Sequence, residues 1–399
     1  MKIGIIAHDL TKPTGAVRVE IMQAKVLKQR GHEPVLYTMA LDKERCYPEL
    51  LNDLDIQIIR TGWRLALLST SMRAVSFTCR PLDFSENLDY VIAHSFPRGF
   101  MGMSLKRRHG TRFVLFLHGI WGFIHPKSDD ATGKAPHTLK HMRRDKHRFT
   151  DWIFHLLFTP ILKALERKCI QESDLILTQC SKVSKQILET YKSESTVIPL
   201  GIEYIDGQNP TTLRNQMGKP ELLILTVTRI RPTKGIRELI RAYRLCTLKN
   251  TKLVIVGPVA DSIYYDECIE LVQKLNLKDC VYFAGEISEE MLATYYEAAD
   301  FVVYTPFDED YGLVPLEAML HGTPSIVSED SGVARELVTS VIPVDPNDTE
   351  QLAKKMVYLG QNPKLRLEMG RRGKDIVKHM TWDRHGDELE KIILRSQSK

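Results

Sequence analysis

Cysteine is sparse in this sequence and falls without pattern. Seven cysteines stand at positions 46, 79, 169, 180, 246, 268 and 280 of 399 residues. An odd, scattered set with no Cys-x-x-Cys pair excludes a disulfide-stapled scaffold, a zinc ribbon and a dithiol redox centre, and it fits a reducing compartment. Long apolar runs are missing too. The richest segment, Trp152–Leu162, contains His155 and Pro160 and stops well short of the ~20 apolar residues of a membrane-spanning helix. The chain opens directly on the strand-like Lys2–Ala7, without the basic, apolar and small-residue regions of a secretory signal, so cytoplasmic residence is expected. No GxGxxG fingerprint follows either first strand, which argues against a dinucleotide cofactor.

A large excess of one charge sign is also missing, 55 basic residues standing against 50 acidic ones for a net value of +5. Its one concentration is local: Lys134, Lys140, Arg143, Arg144, Lys146 and Arg148 stand against Asp145. That stretch is short and has no accompanying recognition motif, so nucleic acid is not an expected partner. Lys134–Leu162 has two readings that the residues leave open. One is a peripheral contact with the anionic inner face of a membrane; the other is a solvated helix face followed by a buried helix.

What is present is an apolar content of 43%, enough for a packed core and too much for wholesale disorder. A chain this long exceeds what one core usually organises, so two domains are expected. Short β-branched runs separated by helix-length segments predict parallel sheets covered on both faces. One series comprises Ile3–His8, Pro34–Thr38, Gln57–Arg60, Tyr90–His94, Phe113–His118 and Leu175–Thr178. A second comprises Leu222–Thr228, Leu253–Gly257, Val281–Gly285, Phe301–Thr305, Ser325–Ser328 and Ile342–Val344. Between them, Thr196–Glu203 and the polar Gly207–Lys219 suit an interdomain connection. The expected fold class is α/β: two Rossmann-like doubly wound domains, 1–200 and 201–380, facing each other across a ligand-binding cleft, with a terminal segment 381–399.

Candidate chemistry gathers on loops that follow strands. After Leu222–Thr228, Arg229 and Lys234 present two cations suited to a diphosphate, or simply a solvated basic loop. After Phe301–Thr305, Pro315 suits the first turn of a helix, which makes Val314 the expected N-cap. Valine has no side-chain acceptor, so the helix start is left open for an anion. Glu317 would then stand on the first turn, where a ribose diol offers it a pair of donors and the helix dipole favours it in any case. Glu309 precedes it on a loop from which it could reach sugar hydroxyls. The triplet Asp308-Glu-Asp310 could hold a divalent cation, yet Arg229 and Lys234 could neutralise the same diphosphate, and no metal is expected. In the first half, Gly15 could let phosphate approach the backbone or serve an ordinary strand-to-helix turn. His118 and His94 both end strands, and spacing does not separate them.

These residues together resemble glycosyltransferase family 4, which has the GT-B fold. The resemblance rests on Glu309-x7-Glu317 with Gly312 and Glu317-Ala-Met319, on Arg229 and Lys234 before Gly235, and on Val197-Ile-Pro-Leu-Gly201. It implies that Arg229 and Lys234 bind the donor diphosphate, Glu317 holds ribose and Glu309 contacts the transferred sugar. The amides of Gly312, Leu313 and Val314 and the loop at Gly15 face the donor, and His118 matches a histidine near the sugar. Retention of anomeric configuration without a metal or other cofactor is implied, as is return of the terminal helix to the first domain. Thr228 and Thr14 stand where the family usually has glycine. Val303-Tyr-Thr-Pro306 with the following motif looks closest to mannosyltransferases of lipid-linked oligosaccharide or surface polysaccharide synthesis, so GDP-mannose is the preferred nucleotide-sugar donor and a glycan or lipid-linked hydroxyl the acceptor. UDP-glucose or UDP-N-acetylglucosamine, a nucleotide-sugar epimerase or hydrolase, and a non-catalytic scaffold are the alternatives.

Overall fold

Strands with both faces covered need apolar residues at successive positions, and that is how the sheets of this protein are written. The computed structural model describes residues 1–59, 87–120, 163–307 and 309–397. The basic segment Lys134–Leu162 and Asp308 lie outside the described residues. Two compact units emerge: Met1–Gly201 together with Trp382–Lys399, and Ile202–Thr381.

In the first unit the strands are β1 (Lys2–Ile6), β2 (Glu33–Thr38), β3 (Asp55–Ile58), β4 (Tyr90–His94), β5 (Arg112–Leu117), β6 (Leu175–Thr178) and β7 (Thr196–Val197). They form one parallel sheet in the order β3-β2-β1-β4-β5-β6-β7. β1 pairs with both β2 and β4, placing Ile5 beside Leu36 on one side and Ile92 on the other. The order reverses between β1 and β4, the kind of point at which open α/β sheets bind ligands beyond the strands' carboxyl ends. β7 was not among the expected strands. It is a two-residue edge pairing inside the stretch read as a connection.

Helix Gly15–Gln29 follows β1 and is closed at its start by Thr14, whose hydroxyl accepts the Val17 N–H at 3.3 Å. Its end passes into Gly31 at φ +78°, a conformation glycine enters without the Cβ penalty of other residues. The terminal helix Trp382–Gln397 belongs to this unit. Its buried stripe of Trp382, His385, Leu389 and Ile393 supplies the apolar attachment. Arg30 reaches Asp383 at 2.8 Å and Asp387 at 2.6 Å, and the Tyr90 hydroxyl donates to the Ile393 carbonyl at 3.1 Å.

The second unit carries β8 (Leu222–Val227), β9 (Thr251–Val256), β10 (Val281–Gly285), β11 (Phe301–Tyr304), β12 (Ser325–Ser328) and β13 (Val341–Val344). They too are parallel, in the order β10-β9-β8-β11-β12-β13, with the reversal between β8 and β11. Alternate residues feed two cores. Ile224, Ile255, Phe301 and Val303 pack to one side, and Leu223, Leu225, Val254 and Val302 to the other. Phe301 is fully buried at the start of β11. Phe301→Ala is expected to cost ~3–5 kcal/mol of stability, the range for emptying a core aromatic site. Urea unfolding followed by far-ultraviolet circular dichroism measures it, and a loss below ~1 kcal/mol would show that the site collapses around the gap.

Candidate functional site

Both loops that carry the second unit's candidates leave the sheet at its reversal, one after β8 and one after β11. The first runs through Arg229 and Arg231 into a single 3-10 turn, Pro232–Lys234, and then into helix Ile236–Leu245. The turn to the helix passes through Gly235 at φ +68°, and a Cβ there would collide with the Thr305 carbonyl of the second loop. Only glycine lets the loops close this tightly. Phe307 N–H donates to the Thr233 carbonyl at 2.9 Å and joins them.

The joined loops bring Lys234 and Glu309 into an ion pair. Lys234 Nζ donates to Glu309 Oε2 at 2.7 Å, and the Tyr304 hydroxyl donates to the same oxygen at 2.8 Å. Lys234 Nζ also lies 5.7 Å from the centroid of the Tyr304 ring, within reach of a cation–π attraction. Tyr304, last residue of β11, is buried; that burial, followed by the carboxylate of Glu309, raises its hydroxyl well above the usual phenol range. It therefore stays a donor. Arg229 is exposed on the same loop, whereas Arg231 is half-buried and donates to the Thr233 hydroxyl at 2.7 Å. Burial, and then Arg229, lower Arg231 from its ordinary value. Of the Asp308-Glu-Asp310 triplet, Glu309 commits one oxygen to Lys234 and Tyr304.

The helix after β11 starts earlier than expected. It spans Leu313–Leu320, and its N-cap is Gly312 at φ 104°, ψ 87°, not Val314. Glycine tolerates that backbone, and Pro315, now third in the helix, loses nothing because the first turn's N–H groups have no intrahelical acceptor. No side chain caps this start, so the amides of Leu313 and Val314 stand at an uncapped positive end of the helix dipole. The shift also takes Glu317 off the first turn. What holds it is the buried Tyr296, whose hydroxyl donates to Glu317 Oε2 at 2.7 Å. Burial and then Glu317 raise the Tyr296 hydroxyl well above its ordinary value. Val333 N–H donates to the Tyr311 carbonyl at 3.0 Å and fixes the approach to the helix.

Gly15 and His118 belong to the first unit. Gly15 opens helix Gly15–Gln29, next to its Thr14 cap. His118 stands just past β5, which ends at Leu117. Its Nδ1 meets Gln179 Oε1 at 2.8 Å, and Gln179 Nε2 donates back to the His118 carbonyl at 2.9 Å. His118 Nε2 lies 3.0 Å from His94 Nδ1. The structure separates these two candidates: His94 is fully buried, and His118 keeps an accessible side. Behind them, Glu20 is fully buried and bonded through both oxygens to His8, to the backbone N–H at 2.9 Å and to the ring. Burial alone would raise this carboxyl, but His8, His94 and Arg98 together hold it down at about 2. Among the described residues, Glu20, His94 and His118 form a group whose possible ligand atoms lie within 4.8 Å of one another.

Tyr304, Tyr296, Arg231 and Gln179 were not among the expected site residues. The signal for the tyrosines was their placement in segments otherwise made of core residues, where a buried hydroxyl needs a partner.

The family model described as Glycosyltransferase Family 4 matches residues 13–204, and the one described as Glycosyl transferases group 1 matches residues 211–376. Alpha-monoglucosyldiacylglycerol synthase of Streptococcus pneumoniae is 32% identical over 347 residues, covering 82% of this chain and 70% of the relative. N-acetyl-alpha-D-glucosaminyl L-malate synthase of Bacillus anthracis is 23% identical over 398 residues, covering 94% and 92%. Among solved structures, Anabaena Alr3699/HepE in complex with UDP superposes with a TM-score of 0.75 at 18% identity, over 99% of this chain and 100% of that one. With two parallel-sheet Rossmann-like units and matches along most of its length, the chain belongs to glycosyltransferase family 4, has the GT-B fold and is a hexosyltransferase that uses a nucleotide-sugar donor.

Proposed function

We propose that the protein transfers an α-glucosyl group from a nucleoside diphosphate glucose to a hydroxyl of a lipid or lipid-linked acceptor, with retention of configuration. The observation that carries the donor site is the Lys234–Glu309–Tyr304 arrangement beside the uncapped helix start. A diphosphate placed over that start meets the amides of Gly312, Leu313 and Val314, and draws on Lys234 and Arg229 as its negative charge grows during departure. Glu317, held by Tyr296, receives the ribose hydroxyls. Glu309 accepts a hydroxyl of the sugar. In the first unit, Gly15 and His118 are proposed as separate contacts for phosphate and sugar, and no metal or other cofactor takes part.

Glucose replaces the mannose preferred on sequence because the relative at 32% identity is named for making an alpha-monoglucosyl lipid. Glucose is α-linked in nucleoside diphosphate sugars, so an α-linked product means retention. A ligand that prefers the folded protein raises its apparent stability by RT ln(1 + [L]/Kd). At a hundredfold excess over Kd, UDP-glucose is expected to raise the midpoint of thermal unfolding by about 5–10 °C for a domain of this size. GDP-mannose and UDP-N-acetylglucosamine run beside it. Selective stabilisation by GDP-mannose restores the mannosyltransferase reading. A β-linked product overturns retention, and donor turnover without acceptor identifies a hydrolase or epimerase.

Among the described residues no helix is long and apolar enough to cross a membrane. The acceptor is met at the inner, cytoplasmic face through the basic segment Lys134–Leu162. Sedimentation with liposomes is expected to require anionic lipid; equal binding to neutral liposomes sinks this part of the proposal.

A further inference from the structure

The loop after β8 carries the cations Arg229, Arg231 and Lys234, and Glu309 answers Lys234. Among the described residues Arg229 and Arg231 make no ion pair. Arg229 is exposed, so water and salt ions can screen it. Arg231 is placed differently. Its backbone is extended, at φ −159° and ψ 158°, immediately before the turn Pro232–Lys234. Its Nε donates to the Thr233 hydroxyl at 2.7 Å, which folds the long side chain back over that turn. The Arg231 carbonyl accepts the Lys234 N–H at 3.0 Å and closes the turn. Thr233 is itself tied to the second loop, because its carbonyl accepts the Phe307 N–H at 2.9 Å.

The guanidinium is thus committed at Nε and nowhere else among the described residues: neither Nη group has a partner there. Holding Nε fixes the plane of the group and leaves the Nη pair as a planar fork, the arrangement that takes a phosphate through two parallel hydrogen bonds. The charge is held against opposition. Burial, and then Arg229, act against the cation, and Glu309 offsets them in part. Arginine does not shed its proton in a protein, so Arg229 and Arg231 stay charged two positions apart on one loop. A turn that needed only the bond to Thr233 could be closed by a neutral donor. What a half-buried guanidinium adds is a charge and a fork.

We propose that Arg231 binds the diphosphate of the donor through its Nη fork, and that Thr233 is the positioning residue that aims it. This rests on the reading of the two joined loops as the donor site. The uncapped start of helix Leu313–Leu320 belongs to the second loop, to which Thr233 is tied. An anion over that start lies beside the loop that carries Arg231. A sugar diphosphate is more than singly charged, and with Lys234 answering Glu309, Arg229 does not match it alone. Arg231 supplies the further charge. Because the bound donor already carries that charge, Arg231 acts on the ground state as well as on departure, and its loss should raise the donor's KM more than it lowers kcat.

Calorimetric titration of the full chain with UDP, and with uridine as a ligand that lacks phosphate, tests the assignment. GDP and guanosine take their place if the wild type prefers GDP. Arg231→Gln keeps a long polar side chain and removes the charge and the fork. It is expected to weaken UDP binding by about 10–100-fold, the range for losing hydrogen bonds to a charged group, and to leave uridine unchanged. The fall of UDP affinity with rising salt should be shallower in this variant, since one cation fewer is engaged. Thr233→Val keeps the shape and the charges but removes the acceptor at Arg231 Nε. It should weaken UDP binding by about 3–10-fold, and Thr233→Ser should retain wild-type affinity. In the Arg231→Gln background Thr233→Val should cost nothing further, because no guanidinium is left to aim. Equal losses for UDP and uridine in Arg231→Gln would show that the substitution disturbs the loop itself, and would overturn the proposal. Losses that add in full in the double variant overturn the positioning role of Thr233. If the wild type binds neither UDP nor GDP, the donor-site reading falls and this inference with it. If the wild type binds UDP and Arg231→Gln binds it equally well, the inference alone falls.

Discussion

Lys234→Ala is expected to lower turnover by ~10²–10³-fold at saturating donor, the usual loss on deleting one electrostatic donor aimed at developing charge. Leaving-group charge grows only as the glycosidic bond breaks, so a cation serving it acts more on the transition state than on the bound donor. The loss should therefore appear in kcat, with a smaller change in KM. Two effects are mixed in the alanine variant. It removes the cation, and it leaves Glu309 with only the Tyr304 hydroxyl of the two partners at Oε2. Lys234→Gln separates them in part, because its amide N–H can still donate to Glu309 while the charge is gone. Both variants should lose kcat alike if the charge is what matters. A folded Lys234→Ala protein with unchanged kcat would remove Lys234 from the chemistry and leave its pairing with Glu309 as a packing feature.

The strands were legible because the central ones are short runs that must be apolar on both faces, and the observed ends, those of the more exposed edge strands β3 and β10 included, fall within two residues of the expected ones. The two-residue β7 was not, since a pairing that short has no pattern of its own. The start of helix Leu313–Leu320 was misplaced for a specific reason. A proline in the sequence favours the first helical position, but glycine at 312 can take a backbone angle of φ 104° that starts the helix two residues sooner. The charged residues of the proposed donor site were visible as loop residues after strands, whereas their supports were not. Tyr304 and Tyr296 sit in apolar surroundings and look like core; only coordinates show their hydroxyls on Glu309 and Glu317. The hydrogen bonds around His118 were out of reach altogether. His94 and Gln179 come from distant parts of the chain, and neither spacing nor periodicity relates them to it.

Glu309→Gln is expected to lower kcat by about a hundredfold, and combining it with Lys234→Ala should add little. The two side chains meet on one oxygen, Glu309 Oε2, which also takes the Tyr304 hydroxyl. Each is only about a fifth exposed, at 17% and 20%, so neither is free to swing into water when its partner is lost. Glutamine keeps the shape and can still accept from Tyr304, but it offers Lys234 a neutral oxygen, and a charge-assisted bond is roughly twice as strong as a neutral one. The ammonium is then held less firmly where the diphosphate needs it, and the sugar hydroxyl loses a charged acceptor. Groups that act as a unit show strongly non-additive losses. Once Lys234 is absent, the positioning part of the Glu309 contribution is already gone, leaving only its direct contact with the sugar. The double variant should therefore fall below the weaker single variant by no more than about tenfold. Losses that multiply in full would mean that Lys234 and Glu309 serve the donor independently, and that their 2.7 Å contact is incidental to turnover.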